Sequence, residues 1–179
     1  MYQAIYWHKN VRIATAMMKK CLFAALQQKQ IAPEELYSLD DASIFTLINS
    51  RNFAEKAIAE ELQNQKLFSI VAETPFNEEK QLHDKLQKLE YRSQIEAILA
   101  EKGKIAAQNI LIDIPESISF ECNYKVFDSS GNEQEPKSVF TPETVKAFTG
   151  NLRQIRIAVK ADTPQSTKNA IAETFASLQ

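Results

Sequence analysis

The period of the hydrophobic pattern changes near residue 103, and this change constrains the fold more than any other feature of the sequence. Before it, apolar residues recur every three or four positions, as in amphipathic helices; after it they alternate with polar residues, as in strands. Such segregation is typical of the α+β class rather than of βαβ units. We therefore predict a helical region over 1–103 and an α+β lobe over 104–179, whose small, mostly antiparallel sheet carries flanking helices on one face.

The first predicted helix is long and apolar around most of its girth. Residues 1–30 contain no proline or glycine. One face of this helix would carry Val11, Ala14, Met18, Leu22 and Ala25. Helices of this kind are normally buried on several sides. We therefore expect this helix to pack against a partner larger than the rest of the chain. If that partner is missing, we expect the chain to self-associate or to expose an apolar patch. Residues 1–4 offer no capping Ser, Asp or Asn.

Later segments give further helices and strands. Helices are predicted from Asp40 as N-cap to about residue 48, and at 53–66, 77–102, 141–150 and 163–179. Strands are predicted at 67–72, 109–114, 118–127, 137–140 and 154–160. Gly103 is predicted to be the C-cap of the helix at 77–102.

Charge is distributed unevenly, although the net charge is only −2. Residues 1–33 carry five cations and no acid, whereas residues 34–63 carry seven acids and two cations. Two helical surfaces that pair with each other, or that face water, account for this pattern; an anion bound by the basic segment is the alternative. The low net charge gives no global attraction to nucleic acid or to an anionic membrane.

Several classes of site are excluded by residue counts. Cys21 and Cys122 are the two cysteines and form no CxxC pair, so neither a structural zinc site nor an oxidising compartment is indicated, and we expect a cytoplasmic protein. Three glycines provide no phosphate-binding loop. No apolar run is long enough to span a membrane. The two histidines, His8 and His83, lie in unrelated segments, so we predict no metal site and no catalytic residue here; His83 is expected to be solvated.

One cluster in the first helix has the chemistry of an anion site. Tyr2, Tyr6 and Lys9 would share one helix face, and His8 and Arg12 would share the adjacent face. Phenol, imidazole, ammonium and guanidinium donors suit a polyphosphate or a nucleotide. A buried helix with core tyrosines and snorkelling basic side chains would show the same spacing.

The same segment carries a resemblance to a known family. Ala4–Arg12 (AIYWHKNVR), running on into Met17–Met18, resembles the helix that follows the catalytic core of HD-superfamily deoxynucleoside triphosphate triphosphohydrolases. The pattern there is roughly Tyr-x-His-Lys before a long apolar helix. Later segments resemble that family in the same order: Leu39–Phe45, Asn64–Thr74, Ile118–Tyr124 and Ile155–Lys160.

The resemblance implies a nucleotide-binding role within a larger enzyme. Such enzymes use a divalent metal in the HD core to cleave a deoxynucleoside triphosphate into the deoxynucleoside and triphosphate, and act as homo-oligomers that bind dNTP or GTP-type nucleotides. Tyr6 matches a tyrosine of the substrate-pocket wall, and His8 and Lys9 match contacts to the triphosphate of an activating nucleotide. Lys56 matches a basic position of that regulatory site, and Lys160 a phosphate contact of the C-terminal lobe. With Arg12, these are the predicted nucleotide-binding residues.

The sequence also departs from that family. Tyr2 replaces an active-site histidine of the mammalian members, and Glu60 replaces a lysine, which argues against a double-nucleotide regulatory site. The upstream metal ligands (H…HD…D) are absent, so we expect a shortened expression product, a fragment or a split-gene product that is inactive alone. A stand-alone, non-catalytic α+β interaction or ligand-binding module is the alternative. Binding of single-stranded nucleic acid is disfavoured by the net charge and by strands that lack interleaved aromatic and basic residues.

Overall fold

The computed structural model of the chain describes residues 8–116, 126–134 and 153–179. Its helices are α1 (Lys9–Gln27), α2 (Asp41–Asn49), α3 (Lys56–Gln63), α4 (Gln81–Lys85), α5 (Leu89–Gly103) and α6 (Gln165–Ser177), with short 3-10 turns at Pro33–Leu36 and Ala107–Asn109. Its strands are β1 (Ser69–Pro75), β2 (Ile110–Asp113), β3 (Val126–Phe127), β4 (Glu133–Gln134) and β5 (Gln154–Val159). The predicted α+β class is confirmed.

The main sheet has three antiparallel strands in the order β1-β5-β2. The central strand β5 pairs Arg156 with Glu73 of β1 on one side and with Asp113 of β2 on the other. The short strands β3 and β4 form a separate two-stranded ribbon. Because β1 precedes residue 103 in the chain, the sheet joins segments from both sides of the predicted boundary between 103 and 104.

Helices cover both faces of this sheet, rather than one face as predicted. Leu111 and Ala158 face a core formed with α1, α2 and α3. The alternate residues Ile155, Ile157 and Val159 face a second core formed with α5 and α6. Successive side chains of a strand point to opposite faces of its sheet. Neighbouring residues of β5 therefore belong to different cores.

Helix α1 is shorter than predicted and is capped. It begins at Lys9, and the side chain of His8 accepts a hydrogen bond from the backbone N–H of Asn10 at 3.4 Å. One apolar face of α1, including Met17 and Cys21, is buried against α3 and β2 of this same chain. On the predicted stripe, however, Val11 is 45% exposed and Met18 and Leu22 are only partly buried, so the expected external partner of α1 stays a prediction.

Two further boundaries differ from the prediction. The region 77–102 is two helices, and Arg92 satisfies carbonyl groups at the end of α4 through Nε to Leu86 O (2.5 Å) and Nη2 to Gln87 O (3.2 Å). Gly103 is the last residue of α5, and Lys104 takes the left-handed conformation with φ 52°. Glycine is needed at 103 for space, because a Cβ there would lie 2.8 Å from Ile171 of α6.

The other elements follow the sequence closely. Asp40 caps α2 by accepting from the N–H of Ser43 at 2.7 Å, as predicted. The strands predicted at 109–114 and 154–160 are confirmed as β2 and β5, whereas β1 lies about two residues later than expected and includes Pro75. The strand predicted at 137–140, the helix at 141–150 and residues 118–125 lie outside the described residues.

Candidate functional site

The start of α1 is where the predicted nucleotide ligands begin. His8 and Lys9 are exposed, and the first turn of the helix itself carries no acidic residue. His8 precedes the helix rather than lying on its face, although its carbonyl accepts from the N–H of Arg12 at 3.0 Å. Tyr2 and Tyr6 lie outside the described residues.

Arg12 is held by a buried carboxylate that the sequence search did not single out. Its Nε lies 3.1 Å from Oδ2 of Asp113 and its Nη2 lies 2.5 Å from Oδ1, a two-pronged contact. The Arg12 side chain is 13% exposed and that of Asp113 only 2%. Charge-assisted pairs of this geometry are the strongest class of hydrogen bond in proteins. Arg12 therefore fastens the first turn of α1 to strand β2.

Asp113 is also part of a row of charges that crosses the sheet. Arg156 donates from Nε to Glu73 at 2.8 Å, and its Nη1 lies 3.6 Å from Oδ2 of Asp113. The strand register places these residues opposite one another, and Arg12 adds a fourth member from α1. We call the set Glu73, Arg156, Asp113 and Arg12 the sheet charge row. Signs alternate along it, so each buried charge lies beside an opposite one.

A second buried pair anchors α1 further along. Nζ of Lys20 donates to Oε2 of Glu96 (2.5 Å) and to the carbonyls of Ala107 (2.8 Å) and Ile110 (2.6 Å). Oε1 of Glu96 accepts from the N–H of Ile112 at 2.7 Å. Burial raises the pKa of Glu96, although the Lys20 ammonium opposes that shift. All three ammonium donors are satisfied, which indicates a structural anchor.

These contacts correct the interpretation of the charge pattern. Of the cations of α1, Lys20, Arg12 and Lys19 pair with acids that lie far along the chain, at Glu96, Asp113 and Glu116 respectively, rather than with the acidic segment 34–63. A cavity of about 30 Å³ lies among Arg12, Lys20, Glu96 and Asp113. That space suits about one water molecule, far below the roughly 300 Å³ of a small ligand pocket. The interior of this cleft therefore cannot enclose a nucleotide.

Lys56 and Lys160 lie elsewhere and carry their own partners. Lys56 donates to the carbonyl of Asn49 at 3.3 Å and lies 3.9 Å from Glu60. Lys160 lies 3.2 Å from Glu61, whose hydrogen bond and charge raise the pKa of the lysine. Glu60 and Glu61 thus act as partners of these two lysines.

The structure does not bring all the predicted ligands together within this chain. The C-terminal end of α1 meets the start of α3 through Gln28 and Glu55 (2.9 Å), which places Lys56 beside that end. His8 and Lys9 lie at the opposite end, about 28 Å away along a helix of 19 residues. The assignment of Tyr6, His8, Lys9, Arg12, Lys56 and Lys160 to nucleotide binding stays a prediction.

His83 was expected to be solvated, and that prediction is wrong. The imidazole is fully buried, its Nδ1 accepts from the N–H of Asn77 at 3.0 Å, and its Nε2 has no hydrogen-bond partner in the described structure. The ring lies 5.8 Å from that of Phe76, over which the guanidinium of Arg153 sits at 3.9 Å. An acceptor role for Nδ1 requires the neutral ring. Burial, and next the charge of Lys80, lower the pKa of His83.

This histidine makes stability depend on pH. Because its pKa is lower in the folded chain than the ordinary 6.5, the stabilisation is present above pH 6.5 and is lost as pH falls below that value toward the folded pKa. We expect the free energy of unfolding, measured by urea titration between pH 7.5 and 5, to fall more steeply in the wild type than in His83→Asn. The asparagine amide can accept from Asn77 without titrating. Equal slopes would contradict this expectation.

Sequence reasoning missed Asp113 and Glu96, and only one of them carried a local signal. Asp113 is an acid within the apolar run Asn109–Ile114, where a buried strand has little tolerance for an unpaired charge. Glu96 lies in a helix with many charged neighbours, so no local sequence signal distinguishes it from a solvent-exposed acid.

Within 8–116, 126–134 and 153–179, no group of three or more His, Cys, Asp or Glu residues is arranged to hold a metal ion.

Comparison with known proteins shows which family the chain belongs to. The family described as HD associated region matches residues 1–137, which is more than half of the chain. The chain belongs to the HD associated region family. The matched range of this HD associated region includes the start of α1, Lys56 and the sheet-row members Glu73 and Asp113, whereas Arg156 and Lys160 follow it.

A curated relative shares part of this region. The uncharacterized protein MJ1154 of Methanocaldococcus jannaschii is 28% identical over 68 residues, which are 38% of this chain and 14% of that protein. The match therefore spans about a seventh of that relative's length.

No helix among the described residues is both long enough and apolar enough to cross a membrane.

Proposed function

We propose that this HD associated region is the C-terminal part of a metal-dependent deoxynucleoside triphosphate triphosphohydrolase. In this proposal it contributes a wall of the substrate pocket through Tyr6, contacts to nucleotide phosphates, and contacts between subunits of a homo-oligomer. Family membership supports association with an HD domain. The motif Tyr6-Trp7-His8-Lys9 and the order of the later segments support the triphosphohydrolase assignment.

The observation that carries the proposal is the exposed basic start of α1. His8 and Lys9 present an imidazole and an ammonium to solvent beside the N-terminal end of a long helix. Backbone N–H groups and the helix dipole favour a negative charge at that position. Arg12 lies one turn further on, and its guanidinium is fixed by Asp113. The set has the charge and donors that bind a triphosphate.

In the proposed enzyme, the HD core and this region have different roles. The described residues do not supply a metal site, so the divalent metal and its chemistry belong to the HD core. His8 and Lys9 bind the triphosphate and hold it in one orientation, which lowers the entropic cost of the reaction. Lys56 of α3 and Lys160, which follows β5, would contact an activating nucleotide only if its phosphates replace their present partners Glu60 and Glu61.

Hydrolysis assays test this proposal directly. The chain alone, given each of the four dNTPs with Mg²⁺ or Mn²⁺, is expected to release no triphosphate, whereas a polypeptide with the HD core upstream of it should release triphosphate and deoxynucleoside. In that longer protein, Lys9→Ala should lower kcat/KM about tenfold or more, since a charge-assisted hydrogen bond is lost. Lys102→Ala, at an exposed lysine of α5, is the matched control.

Two results would count against the proposal. If the longer protein releases no triphosphate from any dNTP, the triphosphohydrolase assignment is wrong, and the stand-alone interaction module becomes the better interpretation. If the longer protein is active but Lys9→Ala and Lys102→Ala behave alike, the start of α1 does not bind the triphosphate. Product analysis separates triphosphate release from the stepwise loss of single phosphates.

A further inference from the structure

A second, larger cavity lies on the side of the sheet that α5 and α6 cover, away from α1. Its volume is about 350 Å³. Pockets for small organic ligands have volumes of roughly 300–1,000 Å³, so this cavity is large enough for one. We call it the α4–α5 cavity, and its lining includes Lys80, Leu82, Lys85, Tyr91, Ile95 and Leu178.

Part of the lining is apolar and belongs to the second core. Ile95 is 5% exposed, and Leu82 and Tyr91 are partly buried against the same core. Tyr91 and Ile95 lie four positions apart on α5, which places them on one face of that helix. Leu178, at the end of α6, is 38% exposed. An apolar group bound against these side chains would be removed from water, which favours binding.

Two cations also line the cavity, both from α4. Lys80 is the N-cap residue of α4 and Lys85 is its last residue. Neither lysine has an ion-pair partner in the part of the chain that the structure describes, although Nζ of Lys85 lies 3.5 Å from Oε1 of Gln81. Among the described residues, the lining contains no Asp or Glu side chain. The cavity therefore combines an apolar surface with uncompensated positive charge.

The two ends of the cavity differ in electrostatic character. The lysines supply positive charge at α4, whereas Leu178 lies at the C-terminal end of α6, where the last carbonyl groups form the negative end of the helix. An anionic group is therefore favoured beside α4 and disfavoured beside Leu178. A ligand with a charged head and an apolar body would fit the cavity in one orientation.

We propose that the α4–α5 cavity binds a small amphipathic anion, a carboxylate carried on a short acyl chain. The carboxylate pairs with Lys80 and Lys85, and the chain lies against Ile95 and Leu178. An acyl chain suits a lining in which the apolar side chains are mostly aliphatic. The site is on the opposite side of the sheet from α1, so it is independent of the nucleotide contacts proposed there.

Titration of the chain with octanoate tests this inference, with the Kd measured by calorimetry at pH 7.5 and fixed ionic strength. Octanoate should bind one molecule per chain and about tenfold more tightly than hexanoate, because two more methylene groups are buried. Octanol, which has the chain without the charge, should bind at least about tenfold more weakly than octanoate. The methyl NMR signals of Ile95 should shift on binding, whereas those of Ile58, in the first core, should not.

A double variant tests the role of the two lysines. Lys80→Gln with Lys85→Gln removes both charges and should raise the Kd for octanoate about tenfold, through the loss of the charge-assisted contacts. Lys88→Gln with Lys102→Gln is the matched control, because it changes the net charge equally at exposed lysines that do not line the cavity. It should change the Kd less than about twofold, since distant surface charges are screened by salt.

Three results would overturn the inference. Absence of saturable binding at millimolar octanoate would show that the cavity is not a ligand site. Equal affinities for octanoate and octanol, or equal effects of the two double variants, would mean that the lysines do not recognise the carboxylate. Octanoate binding that leaves the Ile95 methyl signals unshifted would place the ligand elsewhere on the chain.

Discussion

Asp113→Ala is expected to lower the free energy of unfolding by about 3–5 kcal/mol, the usual result of removing one partner from a buried ion pair. The substitution leaves the guanidinium of Arg12, only 13% exposed, without its carboxylate. It also removes the neighbour of Arg156 Nη1, which has no hydrogen-bond partner among the described residues. Urea titration followed by far-UV circular dichroism at pH 7 measures the change.

A surface acid provides the comparison for this experiment. Glu101 is exposed on α5, and Glu101→Ala should change the free energy of unfolding by no more than about 0.5 kcal/mol. The double variant Arg12→Met with Asp113→Leu should be more stable than Asp113→Ala alone, because no buried charge is then left unpaired at that contact. A loss below about 1 kcal/mol in Asp113→Ala would show that water or a rearranged side chain compensates Arg12.

Phe175→Ala is the second substitution with a large expected effect, about 3–5 kcal/mol. Phe175 is 1% exposed on α6 and belongs to the core between α6, α5 and the sheet. Removal of its ring takes away buried apolar surface and leaves a cavity that the rigid strand β5 cannot close. The same urea titration applies, and the slope with denaturant should stay unchanged if only the native packing is affected.

The control lies three residues away on the same helix end. Leu178 is 38% exposed, so Leu178→Ala removes much less buried surface and should cost about 1 kcal/mol or less. Comparable losses in Phe175→Ala and Leu178→Ala would mean that α6 is not packed on the sheet as described. A loss confined to Phe175 would support the second core as a main source of stability.

Element types were predicted well because they depend on near neighbours. The N-cap role of Asp40 follows from a side chain that reaches the N–H of Ser43 three residues on. Strand β5 follows from alternation within Gln154–Val159. By contrast, Gly103 is predicted as a C-cap but is the last residue of α5, and glycine is needed there because Ile171 of α6 approaches it, which no local pattern records.

The candidate site was predictable in part for the same reason. His8, Lys9 and Arg12 lie within five positions, so a helical spacing was enough to group them, even though residue 8 precedes the helix. Their relation to Lys56 and Lys160 could not be derived, because it depends on the antiparallel packing of α1 and α3 and on the ion pairs each lysine makes.

The sequence by itself determined the α+β class, most helices and strands, the basic start of α1 and the resemblance that led to the HD associated region family. Only the tertiary structure decided which face of α1 is buried within this chain, that His83 is a neutral core residue, and that Asp113 and Glu96 are the partners of Arg12 and Lys20. The physical reason is the range of the forces. Periodicity and capping act over a few residues, whereas a buried charge is stabilised only by the partner that strand register and helix packing bring beside it.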